Sequence, residues 1–164
     1  MIQIVRAEEK HVTAIGQLWQ EFILFNQSTE PIFVPRINKV SDFEDNLVRR
    51  LMKSEDGLVL VALDKGQPVG YSLSEVRRIS PNSKRANYGY VDDMAVTASY
   101  RRKGIGEKMF LEIMKWYQSK GIEHVELQTI DKNVVANSFW KKQGFNDFMR
   151  TLYKEIPLKT KLKR

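Results

Sequence analysis

The chain has no cysteine in its 164 residues. That absence excludes disulfides, thiolate metal sites and a cysteine nucleophile that could hold an acyl group, and it makes a reducing cytoplasm the default compartment. Histidine is nearly as scarce. His11 and His124 lie far apart with no ligand spacing, so no metal centre is expected, and His11, at the start of a helical pattern, reads as a surface or capping residue. No apolar run approaches the ~20 residues that a membrane helix requires, and the N-terminus reads as a strand rather than a leader, so no membrane partner is expected. Proline is sparse as well, and two of its five copies, Pro31 and Pro35, fall in one stretch, where they remove donors and disfavour helix before them. Residues 27–40 are therefore expected to form a loop.

Charge is present in moderate excess. There are 27 basic and 20 acidic residues, a formal charge of +7. Lys159, Lys161, Lys163 and Arg164 supply more than half of that excess in a short tail, residues 157–164, which reads as a solvated terminus. The modest positive field of residues 1–156 would help gather an anionic ligand. It calls for no nucleic acid, because the basic residues are not interleaved with aromatics of exposed pattern. The length fits one domain with one core.

Periodicity divides those 156 residues. Residues 2–6 form a first strand, and residues 8–26 carry Val12, Ile15, Leu18, Trp19, Phe22 and Ile23 at helical spacing. Ser41-Asp42-Phe43-Glu44 reads as a capping box that opens a second helix ending near Lys53. Residues 58–63 and 69–79 are strands about the turn Asp64-Lys65-Gly66, and a third strand spans 88–96, which gives an antiparallel meander. Ile105, Met109, Ile113 and Trp116 then share one helical face, closed by Lys120-Gly121, and Val125 and Leu127 begin a strand. Strand, helix and strand form a right-handed crossover, so those two strands are expected to be parallel. Residues 133–143 form a further helix closed by Gly144, and residues 148–156 a last strand.

Between the third strand and its helix lies Arg101-Arg102-Lys103-Gly104-Ile105-Gly106. Glycines at the mouth of a helix permit a tight loop with uncovered amides, and first-turn amides without internal acceptors suit an anion such as phosphate. Two familiar phosphate loops do not fit. A dinucleotide fingerprint needs a third glycine where Met109 stands, and a Walker loop needs a lysine and a hydroxyl residue after a glycine that is also missing.

The loop resembles the (Arg/Gln)-x-x-Gly-x-(Gly/Ala) signature of the GNAT superfamily of N-acetyltransferases, with Arg101, Gly104 and Gly106 in register after the strand end Met94-Ala95-Val96. A second motif of the family, Asn-x-x-Ala followed by an aliphatic-Tyr pair and Gly-Phe, has Asn133, Ala136, Phe139-Trp140 and Gly144-Phe145 at the matching spacings. The element order matches over nearly the whole chain. The resemblance implies an α/β (α+β) fold with a mixed central sheet, an antiparallel N-terminal meander and one parallel crossover, flanked by about four helices.

It further implies acetyl-CoA as co-substrate. Arg101, Arg102, Lys103, Gly104, Ile105, Gly106 and Glu107 would hold its pyrophosphate. Met94, Ala95 and Val96 would line its pantetheine arm, with the Met94 amide polarising the thioester carbonyl. Asn133, Asn137 and Trp140 would approach it from the later helix. Asp92 stands where some members place a basic carboxylate, with Asp93 expected on the opposite face of the strand. Trp140 departs from the pattern, because the family's frequent general acid at that position is tyrosine and an indole supplies no proton at a useful pKa.

The activity this implies is transfer of an acetyl group to a primary amine, on a small molecule or peptide, directly within a ternary complex. The alternative is a CoA-binding sensor or interaction module without turnover, for which Trp140 speaks. The resemblance implies neither a nucleic-acid nor a membrane partner, and it leaves a homodimer open.

Overall fold

The computed structural model describes residues 1–79 and 87–156. The tail beyond 156 and residues 80–86 lie outside the described residues. Strands β1 (Ile2–Arg6), β2 (Gly57–Asp64), β3 (Gln67–Arg78), β4 (Asn87–Val96) and β5 (Val125–Leu127) form one sheet in the order of the chain. The first three pairings are antiparallel and β4 with β5 is parallel, as the crossover requires. The β2–β3 turn places both Lys65 (φ 48°) and Gly66 (φ 82°) in the left-handed region, the conformation whose twist matches a two-residue hairpin.

Helices cover both faces. On one lies α1 (Val12–Thr29), preceded by a 3-10 turn, together with α2 (Val40–Phe43), a π-helical turn Glu44–Arg49 and α3 (Arg50–Lys53). Val12, Ile15 and Trp19 of α1 pack with Phe43, Val48 and Leu51 onto Val59, Tyr71 and Leu73 of the sheet. Each such buried side chain contributes about 1.5–3 kcal/mol of apolar transfer free energy. Trp19 and Phe43 stack with ring centroids 4.5 Å apart, which draws α2 against α1. Gly16 of α1 carries no Cβ where Val40 and Glu44 press closest.

On the other face α4 (Ile105–Ser119) sets Phe110, Ile113, Trp116 and Tyr117 on Leu58, Leu60 and Val91, and α5 (Val134–Lys142) adds Trp140. Left-handed glycines close both helices, Gly121 at φ 69° and Gly144 at φ 90°.

Three expectations change. The second helix starts at Val40 with Lys39 as its cap, so Ser41 lies inside the first turn and caps nothing. His11 does cap, its Nδ1 accepting from the Glu8 amide, but it is buried under the start of α1 rather than exposed. Residues 148–156 form no strand: Phe148, Met149, Leu152, Tyr153 and Ile156 stand exposed. A strand exists only where a ladder partner satisfies its backbone, and residues 148–156 join neither the outer edge of β5 nor any other strand of the sheet.

Candidate functional site

The site is built around a strand that loses its neighbour. β4 pairs with β5 only at Gly89, Tyr90 and Val91, against Val125, Glu126 and Leu127. Beyond Val91 the far edge of β4 has no strand beside it among the described residues. Which groups face that edge follows from alternation. The Thr97 amide donates to Val69 O on β3 at 3.0 Å, so the Ala95 amide also points to β3, and the amides of Val96 and Met94 point to the open side. Earlier in the strand the parity is opposite, since the Gly89 amide donates to His124 O at 2.8 Å, toward β5.

A bulge makes that switch. Leu73 pairs with Asp93 and Ser74 with Val91, which leaves Asp92 as the extra residue of β4. The bulge overturns the expectation that Asp92 and Asp93 occupy opposite faces. Asp92 Oδ1 accepts from Arg77 Nη2 at 2.6 Å, and Arg77 lies over the Tyr90 ring at 3.5 Å; Asp93 faces Tyr71, which belongs to the core under α1. Both carboxyls therefore lie on the α1 face.

Burial raises the Asp92 pKa to about 6 against the opposing pull of Arg77. Burial, helped by the Asp92 charge, raises Asp93 to about 8, while Tyr71 favours its ionised form. The Tyr71 hydroxyl and Asp92 Oδ2 are buried with no partner at hydrogen-bond distance. Burial likewise drives the Tyr71 pKa up.

From Val96 the chain runs through the 3-10 turn Ala98–Tyr100 into the glycine loop. Arg102 (φ 62°) and Gly104 (φ 75°) are both left-handed, so the intervening amides curl into a concavity of the kind that binds anions. Among the described residues no protein group accepts from the backbone amides of residues 102–107, and the first bond of α4 is Lys108 N to Gly104 O at 3.1 Å. With the macrodipole behind them, these amides form an anion seat.

Two glycines do different work there. Gly104 has open space around its absent Cβ and is required for its φ, whereas Gly106 is helical and a Cβ on it would lie 3.3 Å from the Phe139 ring of α5.

The side chains around the loop brace it. Arg101 Nε donates to Val96 O at 2.9 Å and its guanidinium lies 4.8 Å from the Phe25 ring, so it turns toward α1. Glu21 of α1, which sequence reasoning passed over, accepts from Thr97 Oγ1 at 2.7 Å and from the Ala98 amide at 2.9 Å. Lys103 Nζ donates to Ser99 O at 3.0 Å, Ile105 is buried, and Glu107 lies exposed 3.7 Å from Lys142 Nζ.

On the α5 side the predicted residues are engaged within the protein. Asn133 is buried, caps α5 by accepting from the Ala136 amide at 3.0 Å, and donates to Asn26 Oδ1 at 3.1 Å. Asn137 donates to Ile130 O and Asp131 O and accepts from Thr129. Trp140 sits in an aromatic cluster with Phe110, Phe139 and Phe145, at ring-centroid distances of 6.0, 4.9 and 5.3 Å. Phe139, rather than Trp140, is the ring that approaches Gly106.

The chain has counterparts among known proteins. Residues 17–145 match the acetyltransferase (GNAT) family. Streptothricin acetyltransferase A of Bacillus subtilis is 30% identical over 70 residues, 43% of this chain and 40% of that protein. An aminoglycoside N(6')-acetyltransferase type 1 of Stenotrophomonas maltophilia is 20% identical over 115 residues, 70% of this chain and 75% of that one. The match thus spans less than half the length of the streptothricin enzyme. Among solved structures, a tetramutant of the BH1408 protein from Bacillus halodurans superposes with a TM-score of 0.78 at 22% identity, over 95% of this chain and 99% of that one. The aminoglycoside N-acetyltransferase AAC(6')-Iy in complex with CoA superposes with a TM-score of 0.74 at 13% identity, over 96% of both chains. At those identities the likeness is one of fold, and it is the family match over most of the chain, laid on the same strand, loop and helix, that settles membership: the chain belongs to the GNAT family of acetyltransferases.

Proposed function

We propose that this chain is an acetyl-CoA-dependent N-acetyltransferase that moves an acetyl group onto a primary amine by direct transfer in a ternary complex. One observation carries the reading. The acceptor-free amides of residues 102–107 and the outward amides of Met94 and Val96 lie in sequence along one edge, so an anion seat is continuous with an unpaired strand. A pyrophosphate followed by an amide-bearing pantetheine arm has that order of groups. The backbone of Arg102, Lys103, Gly104, Ile105, Gly106 and Glu107 would take the pyrophosphate oxygens, with Arg101 as brace. Val96 would pair with the arm, and the Met94 amide would donate to the thioester oxygen, where negative charge develops on attack. Asn133 and Asn137 fix the start of α5 beside this edge and act on the co-substrate through that placement.

Direct transfer suits a chain without cysteine. Asp92 is the base in this reading. Its free Oδ2 can accept a proton from the incoming nitrogen, and a pKa near 6 keeps it largely ionised at neutral pH while raising its basicity above that of an exposed carboxylate. The leaving thiolate, with a pKa of ~8.5 as a free thiol, takes its proton from solvent. The acetyltransferase names of the relatives support the amine acceptor.

The second reading, a CoA-binding module without turnover, is favoured by Trp140, which buries an indole where a proton donor would serve. A thiol-release assay with acetyl-CoA against small amines, polyamines, amino acids, aminoglycosides and peptide N-termini separates the two. Acetylation of any class supports the enzyme, and silence across all of them in a protein that binds CoA supports the module.

A further inference from the structure

The α1 face of the sheet just ahead of Met94 carries more cationic capacity than anionic. Arg77 on β3 donates through Nε to Glu75 Oε1 at 2.7 Å and through Nη2 to Asp92 at 2.6 Å. Arg50 of α3 reaches the other Glu75 oxygen at 3.1 Å and the Asn46 carbonyl at 3.2 Å. Arg36, from the segment between α1 and α2, is exposed and forms no ion pair among the described residues, yet its charge is felt at both Asp92 and the Tyr90 hydroxyl. Three guanidiniums thus neighbour Glu75 and Asp92, while Asp93, the third carboxyl on this face, is turned to Tyr71 and kept largely protonated at neutral pH by burial.

The carboxylates are largely committed. Both Glu75 oxygens and Asp92 Oδ1 are held by arginine, whereas Nη1 of Arg50, Nη1 of Arg77 and the whole Arg36 guanidinium have no acceptor among the described residues. The unused capacity on this face is therefore donor capacity for an anion. The exception is one acceptor, Asp92 Oδ2, which has no hydrogen-bond partner among the described residues. Asp92 lies two residues from Met94, about 7 Å along the strand, so a molecule of a few bonds can span the arginines and the transfer point.

Resting on the acetyltransferase reading, we propose that the acceptor carries a carboxylate beside its amine, as an amino acid does, with Arg36, Arg50 and Arg77 holding the carboxylate while the nitrogen sits against Asp92. The guanidinium fork matches a carboxylate bidentately, and the Tyr90 ring beneath Arg77 fixes one fork in place. In the transfer the neutral nitrogen uses its lone pair to form a bond to the thioester carbon and the carbon–sulfur bond breaks with its electrons on sulfur. The nitrogen's surplus proton passes to Asp92, and sulfur takes one from solvent, leaving an N-acetylated amino acid and free thiol. A polycation fits poorly, since it would have to strip carboxylates from their arginines and face three guanidiniums.

The test is calorimetric titration of the CoA-saturated protein with the common amino acids and with matched amines lacking the carboxylate: lysine against cadaverine, arginine against agmatine, phenylalanine against phenethylamine, with kanamycin as the polycation. At least one amino acid should bind, at least about tenfold more tightly than its decarboxylated partner, the span of one charge-assisted hydrogen bond. Arg36→Gln, at an exposed position, should lose about tenfold for that amino acid and nothing for CoA. The inference is overturned if no amino acid binds, or if an amine or kanamycin binds as tightly as the amino acids. Thiol release on the same panel keeps the two claims apart. An amino acid that binds but is never acetylated sustains the anion site and sinks the transfer reading, and acetylation of kanamycin or cadaverine in preference to amino acids does the reverse.

Discussion

Asp92 and Asp93 are adjacent carboxyls pushed in the same direction by burial and separated by what faces them, an arginine for Asp92 and a tyrosine for Asp93. If Asp92 is the base, kcat/KM should rise with pH through about 6, where it ionises. Asp92→Asn should abolish that limb and cost about 10²-fold or more, the usual scale of general base catalysis, read from a pH–rate profile. An unchanged limb in the variant would assign the base elsewhere. Asp93 makes a prediction about stability. Its folded pKa lies above the ordinary 3.8, so between there and about 8 the folded chain holds a proton that the unfolded chain has lost. Stability from this group is therefore full at acid pH and is lost as pH rises through about 8, opposite in sign to an ion-paired carboxylate. A pair such as Glu30 with the exposed Lys132 acts the other way but is screened by water on the lysine's side. Urea unfolding of the parent at a series of pH values should show this decline, and Asp93→Asn should flatten it. Neither carboxyl's orientation could be read from the sequence, because alternation puts neighbours on opposite faces and nothing in Val91-Asp92-Asp93-Met94 announces a bulge.

At the scale of elements, the glycine loop, β4 and α5 meet. Gly106→Val would drive its side chain into Phe139, already 3.3 Å from where a Cβ would be, and part the two helices behind the loop. CoA affinity should fall about tenfold or more while the far-ultraviolet dichroism stays that of the parent. Gly66→Ala, at the left-handed β2–β3 turn away from the loop, is the control: it should lose ~1–2 kcal/mol of stability and leave CoA affinity alone. Trp140→Tyr tests the missing acid. The tryptophan is buried among Phe110, Phe139 and Phe145, so a tyrosine there would carry its hydroxyl into apolar surroundings, costing ~1–3 kcal/mol without speeding thiol release. A faster variant would place that hydroxyl beside the sulfur and restore tyrosine's role. The elements were legible to different degrees for physical reasons. β4, α4 and the loop between them followed from periodicity and glycine placement, because local preference and packing agree there. The cap at Ser41 and the strand at 148–156 did not, since where the second helix begins depends on its packing against α1 and a strand needs a ladder partner that no local pattern guarantees. Glu21, Arg77 and Arg50 reach the site from elements distant in sequence, and no local pattern marks them.

The whole molecule is a five-stranded sheet with an amide-lined edge, held open where β4 outruns β5 and gripped from both faces by α1 and α4. Among the described residues no helix is long and apolar enough to cross a membrane. What the sequence carried at this scale was the order of elements and the two motifs, which sufficed for the family. What it lacked was how short a stretch of β4 is covered by β5, on which the continuity of strand edge and anion seat depends. That continuity is the central claim, and titrating CoA into the full chain tests it most directly, by heat of binding and by thermal unfolding of the same samples. At 100 times its Kd a ligand bound only by the folded state adds ~2.7 kcal/mol, which for a chain of this size raises the melting temperature by about 5–10 °C. A saturable heat with such a rise, weakening as salt screens the phosphates, is the predicted result; millimolar CoA that gives neither heat nor a shift would contradict the account.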